Sequence, residues 1–151
     1  MTALDVLQRC SLFRDFSETG LQIFASIAVD RTVPAGTPVF AEGMVGESMY
    51  VVKEGTVRVT LRDGQGERTL AMLGPSEPFG EIALLTRSTR LVSVVAETTC
   101  DLLELAQRDF YRLQPQKPQA CLKLALAIAG DLARKAADAR EDLRALAGGQ
   151  G

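Results

Sequence analysis

The segment from Pro78 to Arg90 combines residue types that can recognise a phosphate attached to a sugar. Gly80 precedes a short helix-prone run, and a glycine at a helix start lets backbone N–H groups approach an anion closely. Arg90 follows at the far end of this run and can bind the same anion with two parallel N–H donors. The carboxylate of Glu81 suits a sugar hydroxyl and not a phosphate. The pattern suggests an anion site, although a Gly-Glu pair with a later arginine also occurs by chance.

Each of these residues also has a simpler interpretation. Arg90 can be a surface charge that pairs with a carboxylate such as Glu97. Glu81 can cap the short helix, because acidic side chains favour the first helical turn. Gly80 suits a tight turn with or without a ligand, and Arg87 is expected to be solvated. The residues alone leave these alternatives open.

Helical patterns lie on both sides of this segment. Residues 1–30 are predicted to be helical, with Ser17 as an N-cap before apolar residues at helical spacing, namely Leu21, Phe24, Ile27 and Ala28. Residues 107–147 also predict helices. A short one at Asp109–Leu113 ends before two prolines, and an alanine-rich one runs from Gln119 to Ala147 and ends at Gly148 and Gly149.

Residues 31–106 carry the patterns of short β-strands. Three apolar residues alternate with three polar ones, which predicts a half-buried strand whose inward face is Val57, Val59 and Leu61 and whose outward face is Thr56, Arg58 and Thr60. The turn at 63–66 predicts a hairpin with a return strand at 69–73. Further strands are predicted at 39–40, 49–52, 91–96 and 98–105. This arrangement indicates a β-sandwich or barrel.

Apolar residues of the long C-terminal helix recur with heptad-like spacing, at Ala125, Ala129, Leu132, Ala136, Ala139, Leu143 and Leu146. Such a seam favours packing against another helix, in a homodimer or on a separate effector protein. Alanines bury little apolar area. The alternative, that the stripe lies against its own barrel, therefore stays open.

The composition is that of one ordinary domain over residues 1–151, with 46% hydrophobic and 24% charged residues. A net charge of −2 predicts no basic surface for nucleic acid. The apolar runs are too short to span a membrane. The N-terminus carries Asp5 and lacks the basic-then-apolar layout of a signal peptide, so the cytoplasm is the expected compartment.

The sequence contains no histidine, and its three cysteines, Cys10, Cys100 and Cys121, form no CxxC pair. Histidine is the commonest general base and a frequent metal ligand. We therefore expect no metal site and mostly buried, reduced thiols. We also expect no enzyme, although chemistry based on carboxylates or lysine remains open.

Two adjacent stretches, FGEIALL at 79–85 and TRSTRLVSVVA at 86–96, resemble the phosphate-binding cassette of the cyclic-nucleotide-binding domain family. That family includes the catabolite activator protein and the regulatory subunits of protein kinase A. Phe40-Ala41-Glu42-Gly43, Gly46, Tyr50-Val51-Val52 and Gly55 are similar to the family's glycine-marked turns between strands. The resemblance covers Leu12 to Leu146.

The resemblance implies a mainly β fold with flanking α-helices. The expected core is an eight-stranded jelly roll, or double-stranded β-helix, with N-terminal helices and a long C-terminal helix that covers the ligand or forms a dimer. It also implies that Glu81 binds the ribose 2′-hydroxyl and that Arg90 pairs with the cyclic phosphate. Gly80 and the backbone N–H groups near Ile82 and Ala83 would line the phosphate pocket.

Leu91 departs from the family pattern, which commonly has a small residue after the arginine, and its bulk is expected to crowd the pocket mouth. The leading hypothesis is a non-enzymatic regulatory module that binds cyclic AMP or cyclic GMP, needs no cofactor and responds through its C-terminal helix. The alternative, which Leu91 favours, is a jelly-roll interaction or dimerisation module without a ligand. A cupin-type metalloenzyme would need histidines, which are absent. No DNA partner is expected, because a helix-turn-helix would have to follow the long helix and the sequence ends at Gly151.

Overall fold

The computed structural model describes residues 1–148, with side chains for residues 1–140 and Arg144. It begins with α1 (Ala3–Arg9), a 3₁₀ turn (Ser11–Phe13) and α2 (Glu18–Ile27). The predicted cap of α2 is confirmed, because the Ser17 hydroxyl accepts a hydrogen bond from the Gly20 N–H at 3.2 Å. The predicted helical region 1–30 is too long, since the first strand already begins at Val29.

Eight strands form two antiparallel sheets of four strands each. The strands are β1 (Val29–Val33), β2 (Pro38–Phe40), β3 (Ser48–Glu54), β4 (Val57–Asp63), β5 (Gly66–Leu73), β6 (Pro78–Phe79), β7 (Ser93–Ala96) and β8 (Cys100–Ala106). One sheet has the order β1-β8-β3-β6 and the other the order β2-β7-β4-β5. With the helices that flank them, these sheets confirm the expected mainly β architecture.

The predicted hairpin is confirmed, and two strands were missed. β4 and β5 pair in antiparallel register and meet at Asp63 and Gly66. β1 was missed because most of its residues are polar or exposed, and its strand conformation depends on pairing with β8, for example Arg31 with Leu102. β6 has only two residues and begins with proline, so it carries no periodic signal.

The predicted faces of β4 are wrong at one position. Thr60 was expected on the outward, polar face, but its side chain is buried at 1% exposure. The register between β4 and β5 shifts between Val59 and Thr60. The partners of Val59 and Thr60 are Ala71 and Thr69, so the extra residue of this β-bulge is Leu70 of β5, and β4 itself continues without an insertion. Leu61, predicted inward, is only partly buried.

Apolar side chains form two cores, on opposite faces of the β1-β8-β3-β6 sheet. The core between the sheets contains Phe40, Val52, Val57, Phe79, Val94, Ala96, Cys100 and Leu102. The second core packs the helices onto the other face, through strand residues Met49, Val51, Leu103 and Leu105. Because side chains alternate along a strand, β3 and β8 supply apolar residues to both cores.

The remaining helices are α3 (Ile82–Leu85), α4 (Gln107–Leu113) and α5 (Pro118–Gly148). The N-terminal half of α5 packs on the second core through Cys121, Leu124 and Ile128, which are all buried. Leu122 and Leu126 lie on the opposite side of α5 and are exposed. α5 therefore has one face that packs on the second core and another, at Leu122 and Leu126, that is apolar and not covered by the described residues.

The predicted heptad seam of α5 is only partly exposed. Leu132 packs against the second core, whereas Ala129 and Ala136 are exposed. The exposed apolar stripe is instead centred on Leu122, Leu126, Ala129, Ala133 and Ala136, rotated away from the predicted seam. The predicted seam also includes Leu143 and Leu146, whose side chains lie outside those described. Gly149 of the predicted terminator lies outside the described residues.

We predict that Leu103→Ala lowers the free energy of unfolding by about 2–5 kcal/mol, because it leaves a cavity in the second core. Leu103 is 1% exposed, whereas Leu70 of β5 is 50% exposed. Leu70→Ala is the matched control and should change the free energy by about 0.5 kcal/mol or less. Urea unfolding measures both, and equal effects would contradict the described packing.

Candidate functional site

The Arg90 guanidinium lies inside the fold and not in bulk solvent. Its Nη1 donates a hydrogen bond to the Gly80 carbonyl at 3.1 Å, and its Nη2 donates to the Ser48 carbonyl at 2.6 Å. Its Cζ lies 3.9 Å from the centroid of the Phe40 ring, a cation–π distance. The backbone is fixed as well, since the Arg90 N–H donates to the Met44 carbonyl at 2.7 Å.

The simpler interpretation of Arg90 as a surface charge paired with Glu97 is wrong. Glu97 pairs with Arg58, whose Nε lies 3.2 Å from Glu97 Oε2. Among the described residues, Arg90 forms no salt bridge with any carboxylate. Its Nε atom is buried and has no hydrogen-bond partner within this part of the chain. The arginine therefore retains unused binding capacity for an anion.

Two glycines form the slot that holds the guanidinium. A Cβ at Gly80 would lie 2.8 Å from Arg90 Nη1, and a Cβ at Gly46 would lie 3.1 Å from Arg90 Cζ. Gly80 also has a φ of +72°, in the left-handed region that favours glycine. Gly80 is therefore required both by its backbone conformation and by the closeness of the arginine.

An aromatic cluster and a hydrogen-bonded group support the Phe40 ring under the guanidinium. The rings of Tyr50 and Phe79 stack at 5.3 Å, and Phe40 lies 5.9 Å from Phe79. The Tyr50 hydroxyl donates to Glu104 Oε2 at 3.2 Å, and Arg31 Nε donates to Glu104 Oε1 at 2.6 Å. Burial, together with the Glu104 charge, raises the pKa of Tyr50 to about 12. Tyr50 therefore remains a neutral donor at physiological pH.

Burial lowers the pKa of the Arg90 guanidinium, and this effect is opposed by nearby Tyr50 and Glu81. Arginine nevertheless stays protonated in proteins. A cation that is partly removed from water and forms no salt bridge gains more from an incoming anion than an exposed cation does, because solvent screens the interaction less. The electrostatics of the slot thus favour an anionic ligand.

Glu81 stands at the N-cap position of α3, but its side chain makes no capping hydrogen bond. The simpler interpretation of this carboxylate as a helix cap is therefore wrong. Glu81 is 6% exposed, and its Oε1 lies 3.4 Å from Lys135 Nζ of α5. The structure thus places a nearly buried carboxylate beside the Gly80 turn, in contact with the long C-terminal helix.

The other predicted site residues differ in their surroundings. The Ala83 N–H donates to the Gly80 carbonyl at 3.2 Å, and the Ala83 carbonyl accepts from Gln107 Nε2 at 2.5 Å. Ile82 is the first residue of α3. Leu91 is 73% exposed, so its side chain does not fill the slot. Arg87 is exposed, as expected.

The structure therefore brings Gly80, Glu81 and Arg90 together, with Ile82 and Ala83 on the same turn, and leaves the Leu91 side chain outside. Sequence reasoning did not assign site roles to Phe40, Gly46, Ser48, Tyr50 and Lys135. Four of these lie in or next to the glycine-marked stretches that resemble the family. Lys135 lies in a helix rich in charged residues and carries no local signal that distinguishes it from its neighbours.

The described residues support neither a metal site nor a helix that spans a membrane. Within the described residues, no group of three or more histidine, cysteine, aspartate or glutamate side chains is arranged to hold a metal ion. None of the described helices combines the length and the apolar composition that crossing a bilayer requires. The three cysteines are free and buried, as expected.

Comparisons with known proteins give the family. Residues 30–116 match the family model for the cyclic nucleotide-binding domain. The cyclic AMP receptor protein of Thermus thermophilus is 37% identical over 134 residues, which are 87% of this chain and 61% of that protein. Glutaminase 2 of Bradyrhizobium diazoefficiens is 34% identical over 88% of this chain but only 21% of its own length.

Solved structures show the same fold. The crystal structure of the Thermus thermophilus catabolite activator protein matches with a TM-score of 0.82 and 35% identity, over 91% of this chain and 63% of that one. The N-terminal domain of a Streptomyces coelicolor transcriptional regulator matches with a TM-score of 0.79 and 33% identity, over 89% and 96% of the two chains.

The chain belongs to the cyclic-nucleotide-binding domain family, a family of regulatory domains. The expected family and the jelly-roll fold are thereby confirmed, and membership supports a nucleotide-binding regulatory domain over a ligand-free interaction module. The chain spans about three fifths of the Thermus receptor, at 61% of its length.

We predict that Gly80→Ala destabilises the fold more than Gly36→Ala does. Both glycines have positive φ, +72° and +82°, so each alanine suffers backbone strain of roughly 1–2 kcal/mol. Only the Gly80 methyl would also meet Arg90, since nothing lies within 4 Å of a Cβ at Gly36. Urea unfolding gives both values, and equal losses would contradict the described slot.

Proposed function

We propose that this chain binds a cyclic mononucleotide, cyclic AMP or cyclic GMP, at the Gly80 turn, beside the Arg90 guanidinium. Arg90 pairs with the cyclic phosphate, and Glu81 accepts a hydrogen bond from the ribose 2′-hydroxyl. The observation that carries this proposal is the Arg90 guanidinium, which is held beside Gly80 with a buried, unpartnered Nε and no carboxylate partner among the described residues. The Thermus receptor, whose name specifies cyclic AMP, supports the ligand class.

The backbone near Ile82 and Ala83 completes the phosphate pocket in this proposal. The Ala83 N–H already donates to the Gly80 carbonyl, so its contribution is mainly to hold the turn in shape. Leu91 borders the pocket through its backbone, next to Arg90, while its side chain points outward with 73% exposure. An exposed side chain at this position leaves room for the phosphate.

We assign the chain a regulatory role without catalysis or cofactor. The complete absence of histidine removes the commonest catalytic base, and the family's domains are regulatory. The glutaminase relative agrees with a regulatory role that is separate from catalysis, because the matching region is only 21% of that protein. The cytoplasmic location and the single-domain organisation of residues 1–151 remain predictions, as does the absence of a DNA partner.

We predict that Arg90→Ala abolishes binding of cyclic AMP and cyclic GMP, because it removes the only cation assigned to the phosphate. Arg87→Ala is the matched control: it removes an exposed arginine from the same segment and should keep the dissociation constant within about twofold of wild type. Isothermal titration calorimetry measures both variants, with circular dichroism to verify that each is folded.

Wild-type protein at a ligand concentration of about one hundred times the dissociation constant should gain roughly 2.7 kcal/mol of stability. If neither cyclic AMP nor cyclic GMP produced a thermal shift, the proposed function would be overturned. Unchanged affinity in Arg90→Ala, with binding in wild type, would instead overturn the site assignment alone.

We further propose that α5 transmits the signal and that its exposed stripe pairs with a second copy of the chain. Leu122, Leu126, Ala129, Ala133 and Ala136 recur at spacings of four and three residues and are exposed, which suits a helix–helix seam. An effector protein with a similar helix is the alternative partner. α5 also contacts Glu81 through Lys135, so ligand binding and helix position share a contact.

We predict that wild type is a dimer and that Leu126→Glu is a monomer, because a carboxylate in the centre of the stripe would be buried at the interface without a partner. Arg134→Glu introduces the same charged group at an exposed position off the stripe and should remain dimeric. Light scattering coupled to size-exclusion chromatography measures the masses. A monomeric wild type, or a dimeric Leu126→Glu, would contradict this interface.

A further inference from the structure

Lys135 lies where it can control access to the Glu81 carboxylate. Its Nζ lies 3.4 Å from Glu81 Oε1 and 3.1 Å from Asp131 Oδ2, one turn earlier on α5. The two ends of the contact differ in environment: the Lys135 side chain is 62% exposed, whereas the Glu81 side chain is 7% exposed. The lysine thus reaches from the surface onto a carboxylate that is almost removed from water.

This contact connects a sparsely packed stretch of α5 to the Gly80 turn. Leu132 still packs against the second core, but every residue from 133 to 140 is exposed. Within that stretch, the Lys135 side chain reaches back to the N-cap residue of α3. The position of this part of α5 therefore depends on a charged contact more than on apolar burial.

The charges around Lys135 favour its protonated form. Partial burial lowers the pKa of its ammonium group, but the nearby carboxylates of Glu81 and Asp131 outweigh this effect, so the pKa is raised overall. The ammonium group is therefore charged throughout the physiological range. A buried carboxylate that loses its partner is strongly disfavoured, so Glu81 requires either Lys135 or another hydrogen-bond donor.

We propose that Lys135 is an internal competitor for Glu81: it occupies this carboxylate in the ligand-free chain and is displaced by the ribose hydroxyl of the bound nucleotide. The inference rests on the proposed function. It adds the residue whose contact with Glu81 must be broken, at a cost in free energy, before the ribose can bind. Because the Glu81 side chain is only 7% exposed and its Oε1 is in contact with Lys135 Nζ, a ribose hydroxyl reaches this oxygen only after the Lys135 side chain has moved. Displacement of Lys135 frees residues 133–140 from the Gly80 turn.

A ligand shifts a conformational equilibrium only through contacts that differ between the two states. Here the differing contact is the partner of Glu81, which is a lysine from α5 in one state and a ribose hydroxyl in the other. The affinity of the site is therefore reduced by the stability of the lysine–glutamate pair. Removal of the lysine charge should raise the affinity, because the closed state then contains an uncompensated carboxylate.

The first test compares Lys135→Met with Arg134→Met by calorimetric titration with cyclic AMP and cyclic GMP. Methionine keeps the length of the side chain and removes the charge. Lys135→Met should bind roughly two- to tenfold more tightly than wild type, as expected for a pair with one exposed partner. Arg134→Met removes a neighbouring charge that contacts Asp131 at 3.3 Å, and should change affinity less than about twofold.

Unchanged or weaker binding by Lys135→Met would overturn the proposal, and weaker binding would identify Lys135 as a ligand contact instead. An equal gain in both variants would also overturn it, because the effect would then come from net charge and not from the contact with Glu81.

The second test uses no nucleotide, so it does not depend on the proposed function. A double-mutant cycle with Glu81→Gln and Lys135→Met measures whether the two side chains are coupled in the ligand-free protein. Non-additive midpoints of urea unfolding are expected, together with faster hydrogen exchange of residues 133–140 in Lys135→Met. Additive effects and unchanged exchange would overturn the competitor role. Wild type that binds neither nucleotide would overturn the proposed function, and that outcome is distinct from additivity in the cycle.

Discussion

A partly desolvated cation that forms no salt bridge with the described residues is the constraint on which the site depends. The Nη atoms of Arg90 donate to the carbonyls of Gly80 and Ser48, which are neutral and orient the guanidinium without cancelling its charge. The Phe40 ring supplies a face of negative electrostatic potential on one side. Packing elsewhere in the fold offsets the unfavourable free energy of desolvating this cation. An anion that binds beside it therefore meets a guanidinium that is already oriented.

The slot is built by parts of the chain that are far apart in sequence. Phe40 ends β2, Gly46 and Ser48 lead into β3, and Gly80 follows β6. The two sheets bring these parts together, and the main chain of Arg90 is tied to the β2–β3 connection through Met44. No single one of these segments forms a binding site by itself. Because the sheets bring these segments together, the complete jelly roll is needed to position the glycines and the arginine of the site.

The two groups assigned to the ligand belong to different layers of the molecule. Arg90 rests on the aromatic residues of the core between the sheets, whereas Glu81 faces α5 through Lys135. A ligand that contacts both side chains therefore interacts with the sheets and with the helical layer at the same time. Coupling between a binding site and a helix requires such a contact that differs between two states, and it does not require a long pathway through the protein.

The sequence alone determined the features that arise from local spacing. The Ser17 cap, the β4–β5 hairpin and the long C-terminal helix follow from turn residues and periodicity, and the cassette around Glu81 and Arg90 follows from a resemblance with fixed spacing. Tertiary structure decided what depends on partners distant in sequence. The bulge at Leu70 of β5 and the strand conformation of β1 result from pairing between strands. The contact between Lys135 and Glu81, and the rotation of the exposed α5 stripe, result from how α5 packs on the second core. Periodicity specifies that a face is apolar, whereas only packing specifies which neighbour covers that face.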